Sequence, residues 1–191
     1  EAGCAEATTV LLKKQPGVQQ MARVQTENGY MYYAYSASMA EKGRNCVYVF
    51  EAASNRQQPL TVIENVAPAQ ATLQGVITHG ERLAVLARGE NCTYLRIYSI
   101  AEPTKPVLLS AIEQSGACVQ AGLVGENVYV LSHFVFDPKA EQSVPALTVN
   151  GEIHRALPEH IVRLAGANQA QYTVLGTVDV QTGKAAEDVA A

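Results

Sequence analysis

The chain has 191 residues, of which 48 % are hydrophobic and 17 % charged, as is ordinary for a globular fold. The net charge is −4, the 14 basic residues are scattered and tryptophan is absent. A nucleic-acid partner is therefore not expected, because such partners are bound by basic stripes with interleaved aromatic residues. No segment approaches the ~18 consecutive apolar residues of a membrane span.

A short polar turn with glycine, followed by alternating apolar residues, occurs three times along the chain. The three copies occupy residues 27–36, 79–89 and 124–133. Each copy belongs to a unit with the pattern of four short strands, rich in valine, isoleucine, leucine, tyrosine and threonine. A period of about 40 to 50 residues with four strands per unit is typical of propeller blades.

The second unit shows the pattern most clearly. Its strands are predicted over residues 73–78, 82–88, 93–100 and 107–113, and prolines flank the last turn, where no ladder donor is required. The predicted fold class is all-β: a propeller-like array of about three four-stranded antiparallel blades with one long insertion loop.

Residues 1–191 are predicted to form a single domain. The blade units are expected at approximately 17–66, 72–114 and 117–190, with the insertion at 133–170. Three blades leave two open apolar faces. The chain is therefore interpreted as a piece of a larger propeller, as one of two chains that together close six blades, or as an open array.

The four cysteines are too few for a disulfide scaffold and are interpreted as small buried side chains. Asn45-Cys46 and Asn91-Cys92 stand at matching positions of two units. Equivalent strands of neighbouring blades lie about 10 Å apart, whereas a disulfide needs Cα atoms within ~7 Å. Cys46 and Cys92 are therefore predicted not to be bonded to each other.

The insertion at 133–170 holds three of the four histidines. Its candidate metal ligands are His133, His154, Glu159 and His160. A divalent ion needs three or four convergent ligands, and these spacings match no standard site. A solvated loop is the favoured interpretation, and a metal site is the alternative.

The same insertion contains apolar residues and prolines. Val144, Leu147, Ile153 and Leu157 are candidate anchors with which the loop covers an open blade face. Binding surfaces also collect on long loops held by rigid folds. Covering the core is the favoured interpretation over recognition of a partner.

Aromatic residues supply the candidate ligand-binding positions, Tyr33, Tyr35, Phe134 and Phe136. Strand alternation places Tyr33 and Tyr35 on one face of their strand, away from the other tyrosines of that segment. Packing between blades is the favoured interpretation, and an aromatic platform for sugar stacking is the alternative.

The stretch from residue 99 to 133, SIAEPTKPVLLSAIEQSGACVQAGLVGENVYVLSH, resembles the secreted bacterial β-propeller domain family that is distantly related to WD repeats. Residues 17–33, GVQQMARVQTENGYMYY, are similar to another motif of this family. Gln19, Gln20 and Ala22 stand where the family has acidic residues. The resemblance is to a shortened version, and it implies an extracytoplasmic bacterial location, secreted or anchored at the cell surface, without an established reaction.

No GxSxG, HExxH, GxGxxG or EF-hand motif occurs in the chain. We therefore expect a non-catalytic module, without a cofactor, that binds a protein or glycan partner or assembles with another copy, and the family resemblance implies that it is extracytoplasmic. The alternative is a metal-dependent enzyme that uses the histidine and glutamate residues of the insertion. A third hypothesis is a propeller segment completed by the remainder of its own chain.

Overall fold

The structure is a computed structural model that describes residues 17–36, 44–54, 58–135, 144–157, 159, 161 and 171–185. Among these residues, no helix has the length and hydrophobicity needed to cross a membrane. The described strands form three antiparallel sheets of four, six and four strands. The all-β, propeller-like fold predicted from the sequence is confirmed.

The strands are numbered in chain order. They are β1 (Gln19–Gln20), β2 (Val24–Glu27), β3 (Tyr30–Ser36), β4 (Asn45–Glu51), β5 (Thr61–Ile63), β6 (Thr72–His79), β7 (Arg82–Arg88), β8 (Cys92–Ser99), β9 (Val107–Ser115), β10 (Ala117–Val124), β11 (Asn127–Val135), β12 (Ala146–Val149), β13 (Glu152–Arg155) and β14 (Gln171–Asp179).

The first sheet is a simple meander in the order β2-β3-β4-β5. The turn between β2 and β3 consists of Asn28 and Gly29, with φ angles of 49° and 81°. Two residues with positive φ suit a two-residue hairpin turn, and asparagine followed by glycine is the preferred pair there. The glycine turn predicted from the sequence therefore connects the two strands of this hairpin.

The second sheet has the order β6-β7-β8-β9-β12-β13. Its first four strands match the four predicted for the second unit. Its last two form a hairpin from the insertion, with Leu147 of β12 opposite Gln114 of β9. The insertion was predicted as a long loop, and residues 146–155 of it form this hairpin because the edge strand β9 is available for pairing.

The candidate anchors of the insertion divide into two pairs. Leu147 is buried and Val144 packs against the same core. Ile153 and Leu157 are exposed, so the prediction that they anchor the insertion was wrong. Ile153 lies on β13, at the outer edge of the sheet, where no further strand of the described chain covers it.

The third sheet has the order β1-β10-β11-β14, so its first position is taken by the strand nearest the start of the chain. Gln19 and Gln20 pair with β10, and Ala22 then bridges to Val76 of the second sheet. Four consecutive strands were predicted for this unit, and the described residues supply three, with β1 as the fourth. Segment 19–22 thus connects β10 of the third sheet to β6 at the edge of the second sheet.

The three sheets stack, and two hydrophobic cores fill the spaces between them. In β7, Leu83 and Val85 face the first sheet, whereas Ala84 and Leu86 face the third. These four side chains are at most 1 % exposed. The second sheet is therefore buried on both faces along β7, whose residues 83–87 are all apolar.

A buried amide joins the second sheet to the third. Gln114 is 2 % exposed, and its Nε2 lies 3.1 Å from the carbonyl oxygens of Val130 and Val174 and 2.8 Å from Ser132 Oγ. Gly176 leaves the space for this amide, because a methyl group at position 176 would collide with Gln114 Oε1. Gln114 satisfies backbone groups that face it across the core.

Replacing Gln114 by alanine is expected to lower the free energy of unfolding by about 1–3 kcal/mol, because the buried acceptors across the core lose their donor. Gly176→Ala should also destabilise the chain. In the Gln114→Ala background, however, the methyl group at position 176 has room, so the two effects should not add. Urea unfolding of the two single variants and the double variant measures this coupling.

Gln74→Ala is the matched control, since Gln74 is exposed and its amide donates to the nearby Thr72 carbonyl. This variant should stay within about 0.5 kcal/mol of the original chain. Equal effects of the two glutamine substitutions would contradict the structural role assigned to Gln114.

Candidate functional site

Four aromatic rings lie together on the side of the first sheet that faces away from the second sheet. Tyr33 of β3 is opposite Tyr48 of β4, and their ring centroids are 6.4 Å apart with planes inclined by 23°. The Tyr35 and Phe50 rings lie 5.8 and 6.4 Å from that of Tyr48. We call Tyr33, Tyr35, Tyr48 and Phe50 the aromatic face.

Alternation along the strands creates this face. Tyr32 and Ala34 of β3 point into the core between the first two sheets, so their neighbours Tyr33 and Tyr35 point away from it. Side chains directly opposite each other in a ladder share one side of the sheet. Nine uncharged residues occupy this side by register: Val24, Thr26, Met31, Tyr33, Tyr35, Cys46, Tyr48, Phe50 and Val62.

Solvent reaches parts of the aromatic face. The four rings are each partly exposed, and Val24 beside them is 43 % exposed. Cys46 at the end of the face is 4 % exposed, and a hydrogen bond with Cys46 raises the pKa of the Tyr48 hydroxyl. The face is thus largely apolar, and its hydrogen-bonding groups are tyrosine and threonine hydroxyls and a thiol.

Sequence reasoning named two members of this face, Tyr33 and Tyr35, and missed Tyr48 and Phe50. Alternation in the segment Asn45–Glu51 puts both on one side of β4, so their shared side was predictable. Their position beside the first two tyrosines was not, because it depends on the pairing register of β3 with β4.

The candidate metal ligands do not converge in the described part of the chain, where no group of three potential ligands occurs. Ser132 and Phe134 face the second sheet, so His133 between them faces away from it. His154 of β13 is opposite Leu147, which lies in the core between the second and third sheets. His133, by contrast, lies on the outward side of the third sheet. Glu159 is exposed, and His160 lies outside the described residues.

The other two candidate ligand-binding residues have different positions. Phe134 packs against the core between the second and third sheets, and its ring centroid is 6.1 Å from that of Tyr172. Its role in the structure is therefore packing. Phe136 lies outside the described residues.

The described cysteines, Cys46, Cys92 and Cys118, carry free thiols, so Cys46 and Cys92 are not bonded to each other. Burial raises the pKa of all three thiols, to about 11 for Cys92 and Cys118. A nucleophilic cysteine needs a thiolate and hence a lowered pKa. None of these three is activated for nucleophilic chemistry at neutral pH.

Burial of Cys118 predicts a specific pH dependence of stability. The pKa of this thiol rises from 9.0 to about 11 on folding, so ionisation favours the unfolded state. The stabilisation is complete below pH 9 and is lost as the pH rises to about 11, a difference of about 2 kcal/mol. Cys118→Ala should remove this part of the decline, as measured by urea unfolding across that pH range.

Val119, the exposed residue next to Cys118, offers a control for Cys118→Ala. Val119→Ala adds or removes no titratable group, so the free energy of unfolding should fall with pH as steeply as in the original chain. Tyr32 and Cys92 contribute to that fall in the same direction as Cys118. An identical pH slope in Cys118→Ala and Val119→Ala would contradict the prediction.

The separation of His133 and His154 predicts that Zn²⁺, Mn²⁺ and Ca²⁺ leave the thermal midpoint unchanged relative to a chelator. A ligand at 100 times its dissociation constant would stabilise the fold by about 2.7 kcal/mol and raise the midpoint by several degrees. A metal-dependent rise that disappears in His154→Ala and in His160→Ala would establish the alternative site.

A family model described as a beta propeller domain matches residues 13–191. No curated protein and no solved structure shows significant similarity to the chain. The match covers all three stacked sheets, including the segment in which β1 joins the third sheet. The chain therefore belongs to the beta propeller domain family.

Proposed function

We propose that this propeller chain is a non-catalytic extracytoplasmic module that binds a protein partner through the aromatic face. The observation that carries the proposal is the cluster of Tyr33, Tyr35, Tyr48 and Phe50, partly exposed on a sheet side with no charged residue at its nine positions. Aromatic residues are enriched and charged residues depleted at the centre of protein interfaces.

The chemistry of this face favours a protein over a glycan. Sugar rings stack on aromatic side chains, but their hydroxyl groups also need hydrogen-bonding partners nearby. The nine positions contain no carboxylate, amide or guanidinium group. The face offers a sugar only tyrosine and threonine hydroxyls and a thiol for hydrogen bonding, so the polar contacts that would orient a sugar are few.

Two observations support a non-catalytic role. The described residues contain no cluster of potential metal ligands, and their three thiols have raised pKa values. The partly exposed face offers tyrosine hydroxyls, of which that of Tyr48 has a raised pKa through its bond to Cys46. A raised pKa makes this hydroxyl a poorer source of phenolate at neutral pH.

The proposed location, outside the cytoplasm of a bacterium and either secreted or anchored at the surface, rests on the sequence resemblance to secreted propeller domains. Fusion of the complete gene product to alkaline phosphatase tests it, because that enzyme is active only after export. Activity outside the cytoplasm is the expected result, and an inactive fusion that accumulates in the cytoplasm would contradict it.

Photo-cross-linking tests the binding role. A photoreactive phenylalanine analogue at position 48 should cross-link to a protein in living cells, because Tyr48 is at the centre of the aromatic face. The same analogue at position 153 is the control, since Ile153 is 54 % exposed but lies on the hairpin of the second sheet. Mass spectrometry then identifies the cross-linked protein.

A protein cross-link from position 48 that is absent from position 153 supports the proposal. Absence of any protein cross-link from position 48 contradicts it. Binding of the purified chain to an oligosaccharide, lost in Tyr48→Ala, would instead establish glycan recognition.

A further inference from the structure

The outer edge of the third sheet is formed by β14, which pairs with β11 on its inner side. Directly after β14, the Val180 N–H donates to the carbonyl oxygen of Glu126, the residue before β11, at 2.8 Å. In an antiparallel pair, backbone groups point alternately toward the partner strand and away from it. Counting back from Val180, the N–H and C=O groups of Thr173 and Leu175 point to the outer edge. In the described part of the chain, no strand pairs with them there.

The other sheet edges of the described chain are short, bent or covered. The edge strands β1, β2, β5 and β13 have two, four, three and four residues. The longer strand β6 exchanges two backbone hydrogen bonds with Ala22, and the start of β9, which β12 does not reach, contains a bulge. By contrast, β14 has nine residues, without proline and without a charged residue before Asp179. It therefore lacks the devices that prevent strands from pairing with a sheet edge.

The second sheet extends beyond β14 and forms a floor beside its edge. A methyl group at position 176 would lie close to Gln114 of β9 and 3.6 Å from Leu147 Cδ1 of β12, so β14 packs over these two strands. One strand further out, His154 of β13 is opposite Leu147 and so shares its side of the sheet. Val149 packs against the same core, and Val149 and His154 are both partly exposed. Since neighbouring strands lie about 4.8 Å apart, a strand added to β14 would lie over β12 and β13.

The strands that correspond to β14 in the other two sheets are already covered. Like β14, β4 and β8 pair on one side with the second strand of the glycine-turn hairpin of their unit. On the other side β4 pairs with β5, and β8 pairs with β9. The fold thus accepts a strand at this place twice, which identifies an extended polypeptide segment as the occupant that fits the edge of β14.

Sequence and geometry indicate where this segment comes from. Residues 186–191 have the sequence AEDVAA, and alanine, glutamate and aspartate are depleted in strands, which argues against this part of the chain as the occupant. A second copy fits poorly as well. Two chains paired through β14 around a two-fold axis would bring their second sheets, which both extend beyond β14, into the same space. These arguments favour a segment of another protein.

We propose that the outer edge of β14 binds an extended segment of another protein by strand addition. The backbone of the segment pairs with Thr173 and Leu175, and its alternate side chains face Val149 and His154 on the floor. Main-chain hydrogen bonds give affinity in this mode of recognition, and the floor selects the side chains, here apolar and uncharged ones. The site lies on a different sheet from the aromatic face, so it is an addition to the proposed function.

A phage-displayed library of random peptides, selected on the purified chain, tests the proposal. Selected peptides should alternate apolar and polar residues, and NMR should show slower hydrogen exchange of the Thr173 and Leu175 amides when a peptide is bound. Thr173→Pro should weaken binding by about 10-fold, because it removes an outward N–H while the ladder with β11 loses no bond. Thr173→Ala keeps that N–H and should bind normally. Leu175→Pro replaces Thr173→Pro if circular dichroism shows that the latter is unfolded.

Four results would overturn the proposal. The Thr173 and Leu175 amides could exchange slowly without peptide, which would show that the chain itself pairs with this edge. Protection that appears only at high concentration of the chain would identify a second copy as the occupant. A selection that yields no peptide protecting these amides, or peptides that bind Thr173→Pro and Thr173→Ala equally, would exclude strand addition. Peptides that lose binding only in Tyr48→Ala would belong to the aromatic face and leave the proposed function intact.

Discussion

The structure depends on one constraint, namely that the second sheet buries both of its faces. Val85 and Leu86 are neighbours in β7, yet they belong to two different hydrophobic cores. A strand alternates its side chains between two faces, so both are removed from water only when each face is covered, and here a sheet covers each. The first and third sheets are thus stabilised by the second, and each of them keeps one outward side.

The outward sides of the third and first sheets differ in how far their central side chains are exposed. Leu131 is buried on the third sheet, whereas the rings around Tyr48 stay partly exposed on the first. The amide of Gln114 adds a polar connection that only one relative position of the second and third sheets allows, because its three acceptors are spread over two strands. On the other side of the second sheet, the buried amide of Asn45 donates to the carbonyl oxygens of Pro68 and Ala71, in the connection between the first and second sheets, at 2.7 and 2.9 Å.

Local patterns in the sequence predicted the strands and turns of the second unit well. Alternation, the glycine turns and the prolines at 103 and 106 are all short-range properties of the chain. The pairing of β1 with β10, and of β12 with β9, joins segments far apart in sequence and depends on which sheet edges are free. Tyr33 and Tyr35 were predictable as one side of a strand, but the complete aromatic face required the register between β3 and β4.

The exposed start of β9 and the aromatic face differ in the residues that they carry. At the start of β9, Val107, Leu108 and Leu109 are exposed beside an edge that β12 does not reach. Pro106, a bulge near Leu108 and the Asn150 side chain, which accepts the Ala111 N–H at 2.8 Å, limit pairing there. The aromatic face carries no such device and no charge at its nine positions. A sheet side with nine uncharged positions and no protecting device is the pattern expected of a surface that is buried by a partner.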